Sequence, residues 1–138
     1  MRGRNRSTMK TFSNKWENKA IEDDGSYMSR SARSFVTGFK NMLKRELGPE
    51  YDVSIKAGHY DLSGFIEHDG MYEYISYSIP RYGNPINFDS SSYMEDVMYR
   101  YASGTDDYNG GHNHFSSIRN TPKAIISAFE NQKKYGDR

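Results

Sequence analysis

The sequence predicts an α+β domain in which a small antiparallel sheet of three to four strands packs with an N-terminal and a C-terminal helix. Three observations support this fold class. An apolar stripe with helical spacing runs from Ser26 to Leu47, three strand-like segments follow between residues 51 and 79, and a helix start stands at Thr121-Pro122. The 138 residues are enough for one hydrophobic core.

The first predicted helix, residues 26–47, has the clearest pattern in the chain. Its apolar residues recur every three or four positions, which places them on one side of an α-helix. Ser26 or Ser29 can cap its start, and Gly48-Pro49 is a strong stop signal. The predicted buried stripe consists of Ala32, Phe35, Val36, Phe39, Met42, Leu43 and Leu47.

Three strands are predicted over residues 51–57, 61–68 and 71–79. Gly64 suggests a bulge in the second strand. Asp69-Gly70 suits a tight hairpin turn between the second and third strands. Alternation along the third strand places Tyr72 and Tyr74 on one face and Ile75, Tyr77 and Ile79 on the other.

Two further elements are predicted after Pro80. Residues 90–103 fit either a helical stripe or a strand, and we favour a helical turn at 91–94 followed by a strand at 96–102. The C-terminal helix is expected to begin at Thr121-Pro122, where a capping hydroxyl precedes a proline, and to end near Lys134. Its predicted inward residues are Ala124, Ile125, Ala128 and Phe129.

Residues 1–25 are predicted to form a basic and largely flexible arm, and residues 26–138 the single α+β domain. Phe12 and Trp16 are the only large hydrophobic residues before Ile21. Their spacing would allow one helical turn that docks on the core or on a partner. The polar composition favours a tethered tail instead.

Charge is segregated along the chain, although the net charge is only +1. Residues 1–45 contain 11 Lys and Arg against 4 Asp and Glu, whereas residues 46–119 contain 4 against 12. A basic N-terminal part suggests a polyanion or an acidic protein surface as partner, while the acidic middle would repel nucleic acid. Ten of the 12 tyrosines lie between Tyr51 and Tyr108, and tyrosine is typical of half-buried sheet faces and protein interfaces.

Several classes of protein are disfavoured by the sequence. No apolar run has the length of a membrane span, and the N-terminus MRGRNRSTMK lacks the apolar region of a secretory signal. The absence of cysteine removes disulfides and thiolate chemistry. No serine elbow, phosphate-binding glycine loop or dinucleotide fingerprint is present. We therefore expect a cytoplasmic protein that is not an enzyme, with no membrane contact, cofactor or catalytic residue.

The segment Asp106–Asn120, DDYNGGHNHFSSIRN, invites a metal-site or nuclease interpretation. His112 and His114 would share a face if the segment were a strand, but its Gly- and Asn-rich composition predicts a loop, which fixes ligands poorly. The HNH nucleases are identified by spaced positions rather than by a contiguous tripeptide. We predict a tight turn at residues 109–111 without metal, in which Asp107 and Asn113 hydrogen-bond the loop backbone.

Three segments together resemble a known family: HYDLSGFI at residues 59–66, YISYSI at 74–79, and DDYNGGHN at 106–113. The family comprises small proteins carried by phages and conjugative elements of Gram-positive bacteria, and the resemblance covers about residues 31–129. Its most specific motif is Asp-Tyr-X-Gly-Gly-X-Asn, matched here by residues 107–113. The family has no established active site, so the resemblance implies no catalytic role for any residue.

The resemblance implies a function, because small cysteine-free proteins of mobile elements often act against host defences. We expect a non-enzymatic anti-CRISPR protein that binds a Cas9-type effector, or its guide-RNA complex, inside the bacterial host cell. The candidate partner-binding residues are Arg30, Arg33, Lys40, Lys44, Tyr72, Tyr74, Asp106, Asp107 and Tyr108.

An alternative function is that of a nucleic-acid-binding accessory protein in transfer or replication of the element. Here the basic arm and the basic face of the first helix would contact DNA or RNA phosphates. The candidate contacts in the arm are Arg2, Arg4, Arg6 and Lys10.

Overall fold

The computed structural model describes residues 8–58, 61–80, 83–89, 95–107 and 111–136. Within these ranges the fold is α+β, with three helices and one antiparallel five-stranded sheet. The predicted fold class is confirmed, but the sheet has five strands instead of three to four. The elements are α1 (Met9–Trp16), α2 (Arg30–Leu47), β1 (Asp52–Ala57), β2 (Asp61–His68), β3 (Met71–Ser78), β4 (Val97–Ala102), β5 (His114–Ser116) and α3 (Thr121–Tyr135).

Helix α2 confirms the prediction made from its apolar stripe. The Ser29 hydroxyl accepts a hydrogen bond from the Ala32 N–H at 3.1 Å and so caps the first turn. The helix ends at Gly48, whose φ of 97° lies in the left-handed region that favours glycine. All seven residues of the predicted stripe are buried.

The sheet is a meander in which each strand pairs with the next one in the chain, in the order β1-β2-β3-β4-β5. Asp69 and Gly70 turn β2 into β3 with φ values of 55° and 77°, the left-handed pair that a tight hairpin needs. The predicted bulge at Gly64 is wrong, because the register runs unbroken from Ile55 through Gly64 to Ile75.

The two faces of the sheet have different neighbours. The inner face packs under the helices, and its buried residues join one core cluster with those of α1, α2 and α3. We call the opposite side the outer face. Phe65 on that side is buried, yet it lies outside the helix-packed cluster. Alternation and register assign the following residues to the outer face: Asp52, Ser54, Lys56, Asp61, Ser63, Phe65, Glu67, Tyr72, Tyr74, Ser76, Met98, Arg100 and Phe115.

The last two strands extend the sheet beyond the predicted set. Strand β4 confirms the strand expected at 96–102, while the helical turn expected at 91–94 lies outside the described residues. Strand β5 lies in a segment that the sequence assigned to a turn. Its three residues pair with β4, with Ser116 opposite Val97 and His114 opposite Tyr99. Pairing with β4 therefore determines that these residues form a strand, and no local sequence pattern indicates it.

Helix α1 falls within the range expected to be a flexible arm, and here the structure differs from that expectation. Phe12 and Trp16 are 5% and 7% exposed, and their rings lie 5.3 and 5.5 Å from the ring of Phe35. The Thr8 side chain caps the helix by accepting from the Thr11 N–H. The docked helical turn is therefore realised, because two aromatic side chains gain a place in the core.

Helix α3 follows the prediction in extent and in its two buried anchors, Ile125 and Phe129. Its start differs in detail. The Asn120 side chain makes no capping hydrogen bond, and the Thr121 hydroxyl donates to the Ser117 carbonyl at 2.9 Å. Across the described residues, no helix combines the length and apolarity that crossing a membrane would require.

Candidate functional site

The centre of the outer face carries a line of residues that we call the central row: Ser54, Phe65, Tyr74 and Arg100. The register pairs each with the next across β1, β2, β3 and β4. Directly paired residues project to the same face and touch. The Phe65 and Tyr74 ring centroids are 5.2 Å apart, and the guanidinium carbon of Arg100 lies 4.7 Å from the Tyr74 ring centroid. Tyr74 is therefore held between a ring and a cation.

Arg100 is fixed at the end of the central row by two contacts. Its guanidinium lies over the Tyr74 ring, an arrangement favoured by the negative face of the ring. Its Nη1 donates to the Asn113 side-chain oxygen at 3.0 Å. The Asn113 side-chain oxygen therefore orients Arg100, a role that the sequence did not indicate. The buried Nε of Arg100 has no hydrogen-bond partner among the described residues.

Two parallel rows flank the central row, one with a carboxylate pair and one that is largely apolar or uncharged except for Lys56. On one side the register aligns Asp52 with Glu67 and Glu67 with Tyr72. On the other side Met98 pairs with Phe115, which is 42% exposed. The two predicted tyrosines, Tyr72 and Tyr74, thus lie on this face. The face combines aromatic rings, an arginine and a carboxylate pair.

The acidic loop after β4 has one carboxylate engaged internally. The Asp107 Oδ2 accepts from the Ser103 N–H at 2.9 Å and from the Ser103 hydroxyl at 3.0 Å. This confirms the prediction that Asp107 holds the loop backbone. Asp106 is exposed, and Tyr108 lies outside the described residues.

The two histidines of this region, His112 and His114, are exposed. His114 stacks on Tyr99 with ring centroids 5.5 Å apart. Wherever the chain is described, no three His, Cys, Asp or Glu side chains group so that they could hold a metal ion. Gly111, next to His112, has a φ of 72° and packs on the Tyr101 backbone. The other two residues of the predicted turn, 109 and 110, lie outside the described residues.

The second candidate surface is the basic stripe on α2, formed by Arg30, Arg33, Lys40 and Lys44. Spacings of three, seven and four residues place these side chains along one side of the helix. Lys15 of α1 joins Arg30 and Arg33 along a shallow groove between the two helices. The Arg33 guanidinium donates to the Met28 carbonyl, and the Arg30 N–H donates to the Asp24 carboxylate.

The expected contacts in the N-terminal arm are placed only in part. Lys10 lies on α1 and is exposed. Arg2, Arg4 and Arg6 lie outside the described residues.

Reasoning from the sequence missed Phe65, Arg100 and Phe115 as residues of the candidate site on the outer face. The position of Arg100 could have been predicted from the sequence. Side chains alternate along a strand, so if Val97 and Tyr99 lie on one face of β4, Arg100 lies on the other. The outer face and the basic stripe lie in different layers of the fold.

Comparisons of the chain with protein families, with curated proteins and with solved structures identify no match.

Proposed function

We propose that this protein is a non-enzymatic inhibitor that binds a host defence nuclease through the outer face of its sheet. The proposed partner is a Cas9-type effector, free or loaded with guide RNA, whose engagement or cleavage of nucleic acid is blocked by binding. The observation that supports this most is the central row, in which Tyr74 is packed between Phe65 and Arg100 on a face without helical cover among the described helices.

The composition of the outer face suits a protein partner. Tyr, Phe, Met and Arg are enriched in protein interfaces, and Tyr and Arg are frequent energetic hot spots. Tyr74 and Arg100 are already held by neighbours in the free protein. Less side-chain entropy is therefore lost on binding than for mobile side chains.

The carboxylate pair at one edge of the outer face favours a nucleic-acid enzyme as that partner. Asp52 and Glu67 are paired in register beside Tyr72. Cas9-type effectors hold their guide–target duplex in a positively charged channel. Carboxylates on a sheet can occupy such a channel where phosphates would lie, and complementary charge also speeds association. The resemblance to mobile-element proteins supports the same class of partner.

The test is a binding and cleavage assay with a purified Cas9-type effector, with and without guide RNA. We expect a complex and inhibition of target cleavage by the unmodified chain. Phe115→Ala and Arg100→Ala are expected to weaken binding by about tenfold or more, because both remove contacts from the outer face. Tyr27→Ala serves as the matched control, since Tyr27 is 68% exposed and belongs to the segment before α2, not to a strand of the sheet.

The outcome that contradicts the proposal is equally concrete. A chain that forms no complex with either form of the effector and leaves cleavage unchanged is not an inhibitor of this class. Equal loss of binding in Tyr27→Ala and Arg100→Ala would show that the outer face is not the binding interface.

The basic stripe supports a second candidate, a nucleic-acid-binding accessory protein of mobile-element transfer or replication. Arg30, Arg33 and Lys15 meet along one groove, which would place several cations against a phosphate backbone. This function predicts a gel shift with DNA or RNA that weakens as salt rises.

A charge-matched pair of variants tests this second function. Neutralising the four stripe residues to Gln is expected to abolish the shift and to lower the salt slope by about one unit for each lost phosphate contact. The control replaces four lysines elsewhere with Gln and should keep the shift. No shift at low salt with the unmodified chain excludes this function. The control lysines are Lys56, Lys123, Lys133 and Lys134.

A further inference from the structure

The two edges of the sheet differ in length. Strand β5 forms one edge with three residues, and β1 forms the other with six. Among the described residues no strand pairs with the far side of β1, which we call the open edge. An unpaired edge presents backbone N–H and C=O groups to which another strand can hydrogen-bond. The open edge is therefore the longer of the two places where a strand could be added to this sheet.

The side chains of β1 have a charge pattern that is centred on Ser54. Asp52, Ser54 and Lys56 are exposed on the outer face. Val53 and Ile55 alternate with them and are buried on the inner face. The negative and the positive residue thus lie two positions before and two positions after Ser54. A strand of this kind is complementary to a second copy of itself that runs in the opposite direction.

The register of such a pair follows from the positions of the two charges. When two β1 strands lie antiparallel with Ser54 opposite its counterpart, Asp52 of each copy lies opposite Lys56 of the other. A twofold axis makes both ion pairs identical, as in most homodimers. Side chains directly opposite each other have Cβ atoms about 4.5–5.5 Å apart, close enough for a carboxylate to meet an ammonium group. Centring the pair on Val53 or Ile55 instead would separate Asp52 from Lys56.

The Asp52 carboxylate lies beside a residue of the same charge. Glu67 of β2 is opposite Asp52 in the register, and like charges placed opposite each other destabilise a sheet. Neither Asp52 nor Lys56 forms a salt bridge within the part of the chain that the structure describes. Lys56 of a second copy would approach Asp52 from the open edge and offset the repulsion from Glu67. A lysine on an edge strand ordinarily discourages pairing, but in this register it faces a carboxylate.

We infer that two copies of this chain dimerise by antiparallel pairing of their β1 strands at the open edge. The pairing joins the two five-stranded sheets into one, with both outer faces on the same side. Val53 lies opposite Ile55 on the inner face, so apolar residues meet there while the charged residues meet on the outer face. Because the second copy extends the sheet sideways, it leaves the outer face uncovered. Dimerisation therefore does not depend on the proposed inhibitor function and can be measured without an effector.

Sedimentation velocity of the full chain tests this dimer at concentrations from about 10 µM to 1 mM, because pairing through one strand edge buries little surface and gives weak affinity. We expect the mean mass to rise from that of one chain towards that of two. Asp52→Lys and Lys56→Asp each replace both ion pairs by like charges, and each should weaken dimerisation by about tenfold or more. Lys123→Asp, at an exposed position of α3, makes the same charge change as Lys56→Asp and should leave dimerisation unchanged.

A mixture of the two reversal variants provides a further comparison. Asp52→Lys has two lysines at these positions and Lys56→Asp has two aspartates, so the mixture should form a heterodimer although each variant alone dimerises weakly. A chain that stays monomeric throughout the series, undiminished dimerisation of either variant alone, or a mixture that does not associate would each overturn the inference.

A cysteine cross-link locates the twofold axis independently of charge, and it decides the outcome if a reversal variant does not fold. The chain has no cysteine of its own. Ser54→Cys should form a disulfide-linked dimer on mild oxidation, because the two copies of this residue lie opposite each other at the axis. Ser78→Cys, at an exposed serine of β3, which is not an edge strand, should not. Equal cross-linking of the two cysteine variants, or none in Ser54→Cys, would contradict the dimer.

Discussion

At Gly64, in the middle of β2, the backbone of β1 lies against the position where a side chain would begin. A Cβ atom there would be 1.8 Å from the Ser54 carbonyl oxygen and 2.8 Å from the Ile55 Cα. Both are backbone atoms, so relief requires that a strand move. We expect Gly64→Ala to lower the free energy of unfolding by about 1–3 kcal/mol, as overpacking does. Urea denaturation followed by circular dichroism measures this.

Gly104 provides the matched control for this substitution. A Cβ atom at Gly104 would meet nothing within 4 Å. Gly104→Ala should therefore change the unfolding free energy by no more than about 0.5 kcal/mol. Equal effects of the two substitutions would show that close contact between β1 and β2 is not the reason for glycine at position 64.

Asp106 and Asp107 are neighbours with the same charge but different surroundings. Asp107→Ala removes two hydrogen bonds to Ser103 and should lower the unfolding free energy by about 1–2 kcal/mol. Asp106→Ala, at the exposed neighbour, should change it by less than about 0.5 kcal/mol. Thermal denaturation of both variants distinguishes the two roles. A stability loss in Asp106→Ala that matches that of Asp107→Ala would contradict the assignment of a structural role to Asp107 alone.

At the scale of elements, α1 is a short helix that depends on the core for its stability. Phe12 packs against Phe35, Phe39 and Phe88, with ring centroids 5.3, 6.0 and 5.4 Å away. We expect Phe12→Ala to lower the unfolding free energy by about 3–5 kcal/mol. The exposed Asn14, on the same helix, is the control, and Asn14→Ala should be nearly neutral. A tethered tail would show no difference between the two variants in urea denaturation.

The elements that the sequence predicted are those with a long local pattern. Seven periodic apolar residues identified α2, and a turn dipeptide with alternation identified β2 and β3. Helix α1 has 8 residues, shorter than the roughly 12–15 that an isolated helix needs, so its stability comes from tertiary packing that local sequence does not encode. The 3 residues of β5 carry no periodicity, since their pairing with β4 defines them.

At the scale of the whole molecule, the sequence predicted only those features of the candidate site that follow from the residue pattern of a single strand. Alternation within β3 placed Tyr72 and Tyr74 together on one face. The central row also needs the register across four strands, which brings Phe65 and Arg100 to either side of Tyr74. A shift of register by one residue would reverse the faces, and the sequence of one strand does not specify its register with its neighbours.

The two candidate charged surfaces lie in different layers of the fold. The basic stripe lies on α2 in the helical layer, whereas Asp52 and Glu67 lie on the outer face of the sheet. A partner with a basic channel is therefore expected to bind the sheet near Asp52 and Glu67, and a polyanion is expected to bind the basic stripe on α2. The two proposed functions can therefore be distinguished by variants. The inhibitor should lose binding when outer-face residues are replaced, and the nucleic-acid-binding protein should lose binding when the basic stripe is neutralised.

Acid should destabilise the fold through two carboxylates that accept hydrogen bonds in the folded state, Asp24 within the segment that leads into α2 and Asp89 from the distant Arg119. Hydrogen bonds from the Ser26 hydroxyl and the Arg30 N–H lower the pKa of Asp24 from 3.8 to about 2. A hydrogen bond from Arg119 lowers the pKa of Asp89, and Arg119 also pairs with Glu17 at the end of α1. A folded-state pKa below the unfolded one gives stability that is present above the unfolded value and is lost as pH falls through the folded value.

The unfolding free energy should therefore be steady near neutral pH and fall as pH drops from about 4 towards 2. Asp24→Asn and Asp89→Asn should each flatten that fall, because each removes one group whose protonation is coupled to unfolding. Glu22→Gln, at an exposed carboxyl before α2, should leave the slope unchanged. Urea midpoints measured at steps between pH 5 and pH 2 test this. Slopes in the two aspartate variants that equal the slope of the unmodified chain would show that these carboxylates are not the groups that link acid to unfolding.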